Sequence, residues 1–400
     1  MGMSAVSAIG CPRLSLPVYS RVMLLCWWPQ PGPGDAPLPR LEEPQHHLDL
    51  AAECARQSEG EDALEQLAIG LLHKMRGNFA IQQRYVGSEN VVDETDAEVD
   101  HHEEALVEAG HRVSRLRWGA GIINDLQRAE VDLVFNVSSL VEAAILEELQ
   151  IPFVGSETTA ITVATDKGLA KRLWQQSGLP TSPFRVLRAE DDCQAFRENP
   201  PFPYPLFIKP VAGRGSAGID AASVIDDYDQ LVEGVRRLLE TIGQPVLVER
   251  FLEGREITLG VLGNESARVL PPLEIEYRAG DITLGYEKKR LDDDTFLCPA
   301  PLDAVQTARM QDLALRAYHS LGMSDFGRID TILTQEGPYL LEANSFAGLM
   351  CTPEERPHSY IGFMARAEGM QGKDLLGEIV AVARRRHSRK THSGHVRSSA

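Results

Sequence analysis

Two short apolar runs, Phe326–Leu333 and Tyr339–Asn344, flank the tetrapeptide Gln335-Glu336-Gly337-Pro338. Turn-forming residues between strand-like runs predict an antiparallel hairpin. In a strand, side chains two residues apart share a face. Glu342 and Asn344 therefore project together, with Arg328 and Asp330 doing the same on the preceding strand. The hairpin thus offers two carboxylates, an amide and a guanidinium to one pocket. Hard oxygen donors of this kind suit Mg²⁺, which completes its shell with waters and phosphate oxygens. Taken alone, the segment reads equally well as a solvated hairpin with ordinary surface carboxylates.

The rest of the chain bounds that choice. At 400 residues it is too long for one ordinary core, so two or three domains are expected. Its hydrophobic fraction of 43% and charged fraction of 24% are those of a soluble globular protein. A formal net charge of −18 excludes the basic face that a nucleic-acid partner needs. The 6 cysteines show no CxxC spacing, which fits reduced thiols in the cytoplasm better than a disulfide framework or a zinc site. The apolar run Val22–Trp28 is too short to span a membrane, and Pro12, Arg13, Pro17 and Arg21 interrupt any signal-peptide core. The expectation is a cytoplasmic protein with neither membrane nor nucleic acid as partner.

In chain order, residues 1–76 read as an extension of unclear role, Pro- and Gly-rich at first and then two helices over 48–76 with Leu64, Leu67, Leu71 and Leu72 on one face. From 77 to 165 strands and helices alternate: a strand at Phe79–Val86, a helix at Glu98–Ala109, then strands at His111–Trp118, Val131–Val137 and Ile151–Gly155. That alternation predicts a parallel sheet with crossover helices. Residues 166–248 form a further α+β segment. It opens with the helix from Asp166 to Ser177, and its stretch Leu206–Ile219 is a strand carrying Lys209 and then a loop with Gly213, Gly215, Ser216 and Gly218. Such a loop can aim backbone N–H groups at a phosphate, but it matches neither the P-loop nor the dinucleotide fingerprint. Residues 249–384 hold Glu249 and Glu256 about a turn at Glu253-Gly254, the helix Ala304–Leu321, the hairpin, and the final helices His358–Gly369 and Lys373–Arg384. The basic tail 385–400 reads as disordered.

Taken together these motifs resemble the ATP-grasp superfamily and, within it, the D-alanine–D-alanine ligases. The resemblance covers roughly residues 130–385. Its segments fall in the family's order: ATDKGLAKRLWQQSGLPTSP, YPLFIKP with the glycine loop, VLVERFLEGREI, YEKK before PAPL, GRID, LLEANSFAG and HSYIGFMARAEGM. The resemblance implies an N-terminal parallel-sheet α/β domain followed by the two α+β subdomains of an ATP-grasp fold. It further implies ATP as cosubstrate, two Mg²⁺ ions (or Mn²⁺), small amino acids as substrates, a homodimer as an admissible assembly, and a place in peptidoglycan biosynthesis. By the same resemblance Lys167 and Lys209 hold nucleotide phosphates, with Ser216 in the glycine loop and Lys289 on a loop that closes over the γ-phosphate. Glu249 lies near the adenine amino group, Phe251, Leu252 and Leu341 at the adenine, and Glu256 at the ribose. Asp330, Glu342 and Asn344 hold the metals. Arg328 and the Gly348 N–H stabilise an oxyanion, and Ser359 binds the first amino acid.

Departures from the family pattern lie on the substrate side. The acidic loop after the third strand is missing at Phe135–Ser139, and Glu89, Asp93 or Glu94 could each replace the family's glutamate. Arg290 and Ala347 stand where the family has tyrosine and proline, and Cys351–Pro357 is inserted before His358-Ser359. The implied function is an ATP-dependent carboxylate–amine ligase joining two small amino acids through an acylphosphate. The alternatives are an ATP-grasp ligase for another acid–amine pair and a nucleotide-binding pseudoenzyme.

Overall fold

A computed structural model describes residues 66–74, 95–136, 140–213, 218–276, 295–352 and 359–395, with side chains to 389. These residues belong to the compact unit Leu64–Ala400. The apolar run that reads as helix is instead strand β1 (Ala68–His73), buried along its whole length. An uninterrupted short apolar run fits a strand covered on both faces as well as a helix face, and here sheet pairing decides it. Helix α1 (Asp96–Glu108) follows, then β2 (Arg112–Arg117), α2 (Ile122–Arg128), β3 (Leu133–Asn136), α3 (Leu140–Glu148) and β4 (Phe153–Val154). The strands form a four-stranded sheet in the order β2-β1-β3-β4, parallel throughout as the alternation predicts. The last residues of the expected extension therefore supply a central strand. The strand expected at Phe79–Val86 lies outside the described residues.

Helices α4 (Thr158–Thr165) and α5 (Lys167–Gln176) lead into a second sheet. Its strands are β5 (Phe184–Leu187), β6 (Leu206–Pro210), β7 (Val224–Ile225) and, after helix α6 (Tyr228–Ile242), β8 (Val246–Arg250). They pair antiparallel in the order β5-β8-β6-β7. Asp166 caps α5 by accepting from the Leu169 N–H, an N-cap position where Asp is strongly favoured.

The third sheet comprises β9 (Arg255–Leu262), β10 (Arg268–Val269), β11 (Leu273–Glu276), β12 (Thr295–Leu297), β13 (Phe326–Thr334) and β14 (Gly337–Asn344), with helix α7 (Ala304–Ser320) packed on it. The order is β12-β11-β9-β13-β14, with β10 paired to β9. The predicted hairpin is β13–β14, its turn tighter than expected because Pro338 already pairs with Leu333. Gly254, between β8 and β9, runs so close to β13 that a Cβ there would meet the Leu333 carbonyl oxygen at 2.5 Å. Only glycine permits that approach.

Helices α8 (Tyr360–Ala367) and α9 (Gly372–His395) complete the described chain. The tail expected to be disordered from residue 385 is helical to His395. Arg386 explains part of the difference, since it pairs with the fully buried Asp325 at 2.7 Å and donates to the carbonyls of Phe153 and Gly155. One hydrophobic cluster runs from Ile69 and Phe135 of the first sheet through Leu262 and Phe326 of the third to Ile361, Leu376 and Ile379 on α8 and α9. It holds the open end of the hairpin, where β13 begins, against the first sheet.

Within this cluster His102 is fully enclosed, packed on Phe135, with neither ring nitrogen partnered. Burial pushes its pKa from 6.5 down to about 3, the neighbouring His101 acting in the same direction. The native state thus keeps the ring neutral where the unfolded chain protonates it, so this contribution falls as pH drops below 6.5. The expected loss is about 1.4 kcal/mol per pH unit down to the folded pKa. Urea unfolding as a function of pH should show a shallower acid loss for His102→Leu than for the wild type; equal slopes would exclude His102 as a source.

Candidate active site

Most of the charged residues expected at the site stand on three elements. The first is the amino end of α5. Lys167, in its first turn, is buried, donates to the Gly213 carbonyl at 3.0 Å and stands 3.3 Å from Glu342 Oε2 on β14. The predicted phosphate lysine and a predicted metal ligand are therefore neighbours. An isolated bridge from Asp166 to Ala212 holds this end of the helix against the glycine loop.

The second element is the β6–β8 pair. Phe207 and Glu249 are cross-strand partners, so Lys209 and Glu249, two positions apart in register, lie on one face. Lys209 Nζ is 2.9 Å from Glu249 Oε1, and both side chains are buried. The sequence did not single out the third member, Lys171. Its Nζ stands 2.8 Å from Glu249 Oε2, an ion-pair contact rather than an aligned hydrogen bond. It also donates to Thr181 Oγ1 at 2.7 Å and the Leu340 carbonyl at 3.3 Å. Desolvation works against each of these charges. For Glu249 it is outweighed by Lys171 and Lys209, which keep the carboxyl below its usual range. For Lys209 it is outweighed by Glu249, Glu342 and Glu256, which raise the ammonium's pKa. For fully enclosed Lys171 burial prevails, and the pKa is lowered. A signal for Lys171 was present: Lys167, Lys171 and Trp174 recur at i, i+4 and i+7, which puts a lysine on the apolar stripe of α5.

The third element is the hairpin. Its register sets Arg328 opposite Asn344 and Asp330 opposite Glu342, so all four share a face as the residue spacing predicts. Arg328 grips Asp330 through Nε and Nη2, each at 2.8 Å. Asn344 Nδ2 donates to the same carboxylate at 3.0 Å, and the Thr258 hydroxyl on β9 donates to Oδ1. Burial alone would lower the pKa of Arg328, but Asp330 overrides it and raises it. The Tyr360 ring covers the guanidinium, its centroid 5.0 Å from Cζ. Thr258 and Tyr360, like Lys171, were not among the sequence candidates. Leu341 is the extra residue of a β-bulge, since Asp330 pairs with Glu342 and Thr331 with Leu340.

Phe251 and Leu252 follow β8 directly, and Phe251 lies beside Phe207, ring centroids 6.4 Å apart. Glu256 sits near the start of β9, opposite Ile332. Gly348 and Ser359 meet across the insertion, for a Cβ on Gly348 would stand 3.0 Å from the Ser359 Cβ. Ser359 is also the N-cap of α8, its Oγ accepting from the Gly362 N–H at 2.9 Å. Ser216, Lys289 and Arg290 lie outside the described residues.

Chemically, the cleft sets two cations from α5 and β6 toward a face of oxygen donors on β14, with an arginine at its edge. Among the described residues no three His, Cys, Asp or Glu side chains stand close enough to hold a metal alone. The hairpin set is two carboxylates and an amide, and both carboxylates are already met by positive charge from Lys167 and Arg328. A donor set of that size fits Mg²⁺ only if phosphate oxygens and water supply the remaining ligands. Glu249 should tolerate substitution least. Glu249→Gln strands two enclosed ammonium groups and is expected to cost about 3–5 kcal/mol in chemical denaturation. A loss below about 1 kcal/mol would mean that water reaches the lysines.

The sequence profile of the D-ala D-ala ligase C-terminus family matches residues 173–381. The chain is 33% identical over 290 residues to a D-alanine–D-alanine ligase of Bordetella petrii, covering 70% of this chain and 84% of that one. It is 35% identical over 243 residues to that of Ralstonia nicotianae, covering 60% and 69% respectively. Among solved structures, a D-alanine–D-alanine ligase from Bacillus anthracis complexed with ATP superposes with a TM-score of 0.61 at 18% identity, covering 81% of this chain and 99% of that one. The VanG D-Ala:D-Ser ligase from Enterococcus faecalis gives 0.61 at 22% identity, covering 80% and 100%. These two likenesses concern the fold.

Proposed function

Because the chain belongs to the D-alanine–D-alanine ligase family, we propose that it is an ATP-dependent ligase that joins two D-alanine molecules through an acylphosphate. The observation that carries the reading is the meeting of Lys167 on α5 with Glu342 on β14, 3.3 Å apart, which brings cations for phosphates and oxygen donors for a metal into one cleft. Lys167 and Lys209 bind phosphates as compact charges. Phe251, Leu252 and the bulged Leu341 enclose the adenine, Glu249 lies at its amino group, and Glu256 accepts from the ribose hydroxyls. Ser216 and Lys289, which lie outside the described residues, would add phosphate contacts by the family resemblance. Asp330, Glu342 and Asn344 would hold Mg²⁺, which when bound neutralises charge on the transferring phosphoryl group.

The carboxylate of the first amino acid attacks the γ-phosphorus and ADP departs, leaving an acylphosphate. The amine of the second attacks that carbonyl, and collapse of the tetrahedral intermediate releases inorganic phosphate. Positioning does most of this work, since charge rather than covalent chemistry is what the protein handles. Arg328, fixed by Asp330 and covered by Tyr360, and the Gly348 N–H stabilise the developing oxyanion. Ser359 contacts the first amino acid beside Gly348. A ligase for a different acid–amine pair is the second reading. It is favoured by the commitment of Ser359 Oγ to the α8 cap and by Ala347 and the insertion beside it.

Purified protein given ATP, Mg²⁺ and D-alanine should release phosphate and form D-alanyl-D-alanine by mass spectrometry. Arg328→Met should lower kcat by about 10²–10³-fold with little change in the KM for ATP, because Thr258 and Asn344 still donate to Asp330. Phosphate release with another amino-acid pair but not with D-alanine would shift the assignment to the second reading. No turnover with any acid–amine pair would leave a nucleotide-binding protein without ligase activity.

A further inference from the structure

We propose that Lys171 is a positioning residue of the nucleotide site, the fixed counter-ion that keeps Glu249 paired when Lys209 turns to the phosphates. The inference rests on the nucleotide reading above and concerns a residue that this reading leaves without a role.

The two lysines on Glu249 are held very differently. Lys171 has no exposed side-chain surface and is fastened at three points on three elements. These are Glu249 on β8, Thr181 before β5, and the Leu340 carbonyl on β14. Thr181 Oγ1 donates onward to the same carbonyl at 2.9 Å, which closes the arrangement. A side chain so fastened cannot reach a ligand in the cleft. Lys209 is 6% exposed, lies beside the Phe207 ring, and is attracted by Glu342 and Glu256 on the hairpin side as well as by Glu249. It is the member of the group that can move toward the hairpin.

A triphosphate offers more charge and more acceptor oxygens than one carboxylate, so it draws Lys209 away from Glu249. An enclosed carboxylate that loses its sole partner is strongly disfavoured. One carboxylate between two ammonium groups avoids that outcome, because departure of Lys209 leaves Glu249 still paired with Lys171. Without Lys171, Glu249 competes with the phosphates for Lys209, and every ligand that needs Lys209 binds more weakly. A ligand that lacks phosphates does not.

That difference supplies the test. Lys171→Met should remain folded, since Glu249 retains Lys209. Lys171→Gln, which keeps hydrogen-bonding capacity toward Thr181 but not the charge, serves as the second variant. In both, the Kd and KM for ATP should rise about 10-fold. The inhibition constant of adenosine, which has no phosphate, should stay within about twofold of wild type. Equal weakening of ATP and adenosine would make Lys171 a structural residue only and overturn the proposal. So would unchanged ATP affinity. Failure of the wild type to bind ATP would remove the nucleotide reading itself, whereas normal wild-type binding with indifferent Lys171 variants would remove this inference alone.

Discussion

Glu249 is an enclosed carboxylate, and the arrangement of the cleft follows from what it requires. Such a charge survives inside a protein only with partners in good geometry. Lys209 comes from the neighbouring strand and Lys171 from a helix, so satisfying Glu249 ties α5, β6 and β8 together. Through the Leu340 carbonyl the same lysine reaches β14, the strand that carries the hairpin's oxygen donors. Lys171 thereby couples the sheet that carries Lys209 and Glu249 to the sheet that carries the hairpin's oxygen donors.

The hairpin has its own version of the same constraint. Asp330 is nearly enclosed and accepts from Arg328, Asn344 and Thr258, and Arg328 is in turn covered by Tyr360. Reactive charges are thus neutralised locally until a ligand supplies replacements. In the proposed reaction Mg²⁺ and phosphates are those replacements. A site whose ions are pre-paired and pre-oriented needs little rearrangement when substrate arrives.

How much of this could be read from the chain depends on the range of the signal. The hairpin and the helix opened by Asp166 carry local signatures of turn residues and a cap, and each appears where expected. The face shared by Arg328, Asp330, Glu342 and Asn344 follows from period two alone. Strand β1 has the pattern of a helix face because a fully buried strand has no polar face to mark its period. The helical start of the basic tail depends on Arg386 meeting Asp325, sixty-one residues earlier, which composition cannot show. Lys171, Thr258 and Tyr360 acquire roles only through partners on other elements, although a lysine on the apolar stripe of α5 could have been questioned.

The proposed reaction requires the cleft between these two sheets to be the ATP site. A crystal structure with Mg²⁺ and a non-hydrolysable ATP analogue tests it most directly. The expected result is Lys167 and Lys209 on phosphate oxygens, metal against Asp330, Glu342 and Asn344, and Lys171 still on Glu249. A nucleotide bound elsewhere, or one bound here with Lys209 still on Glu249 and no metal on the hairpin, would contradict it.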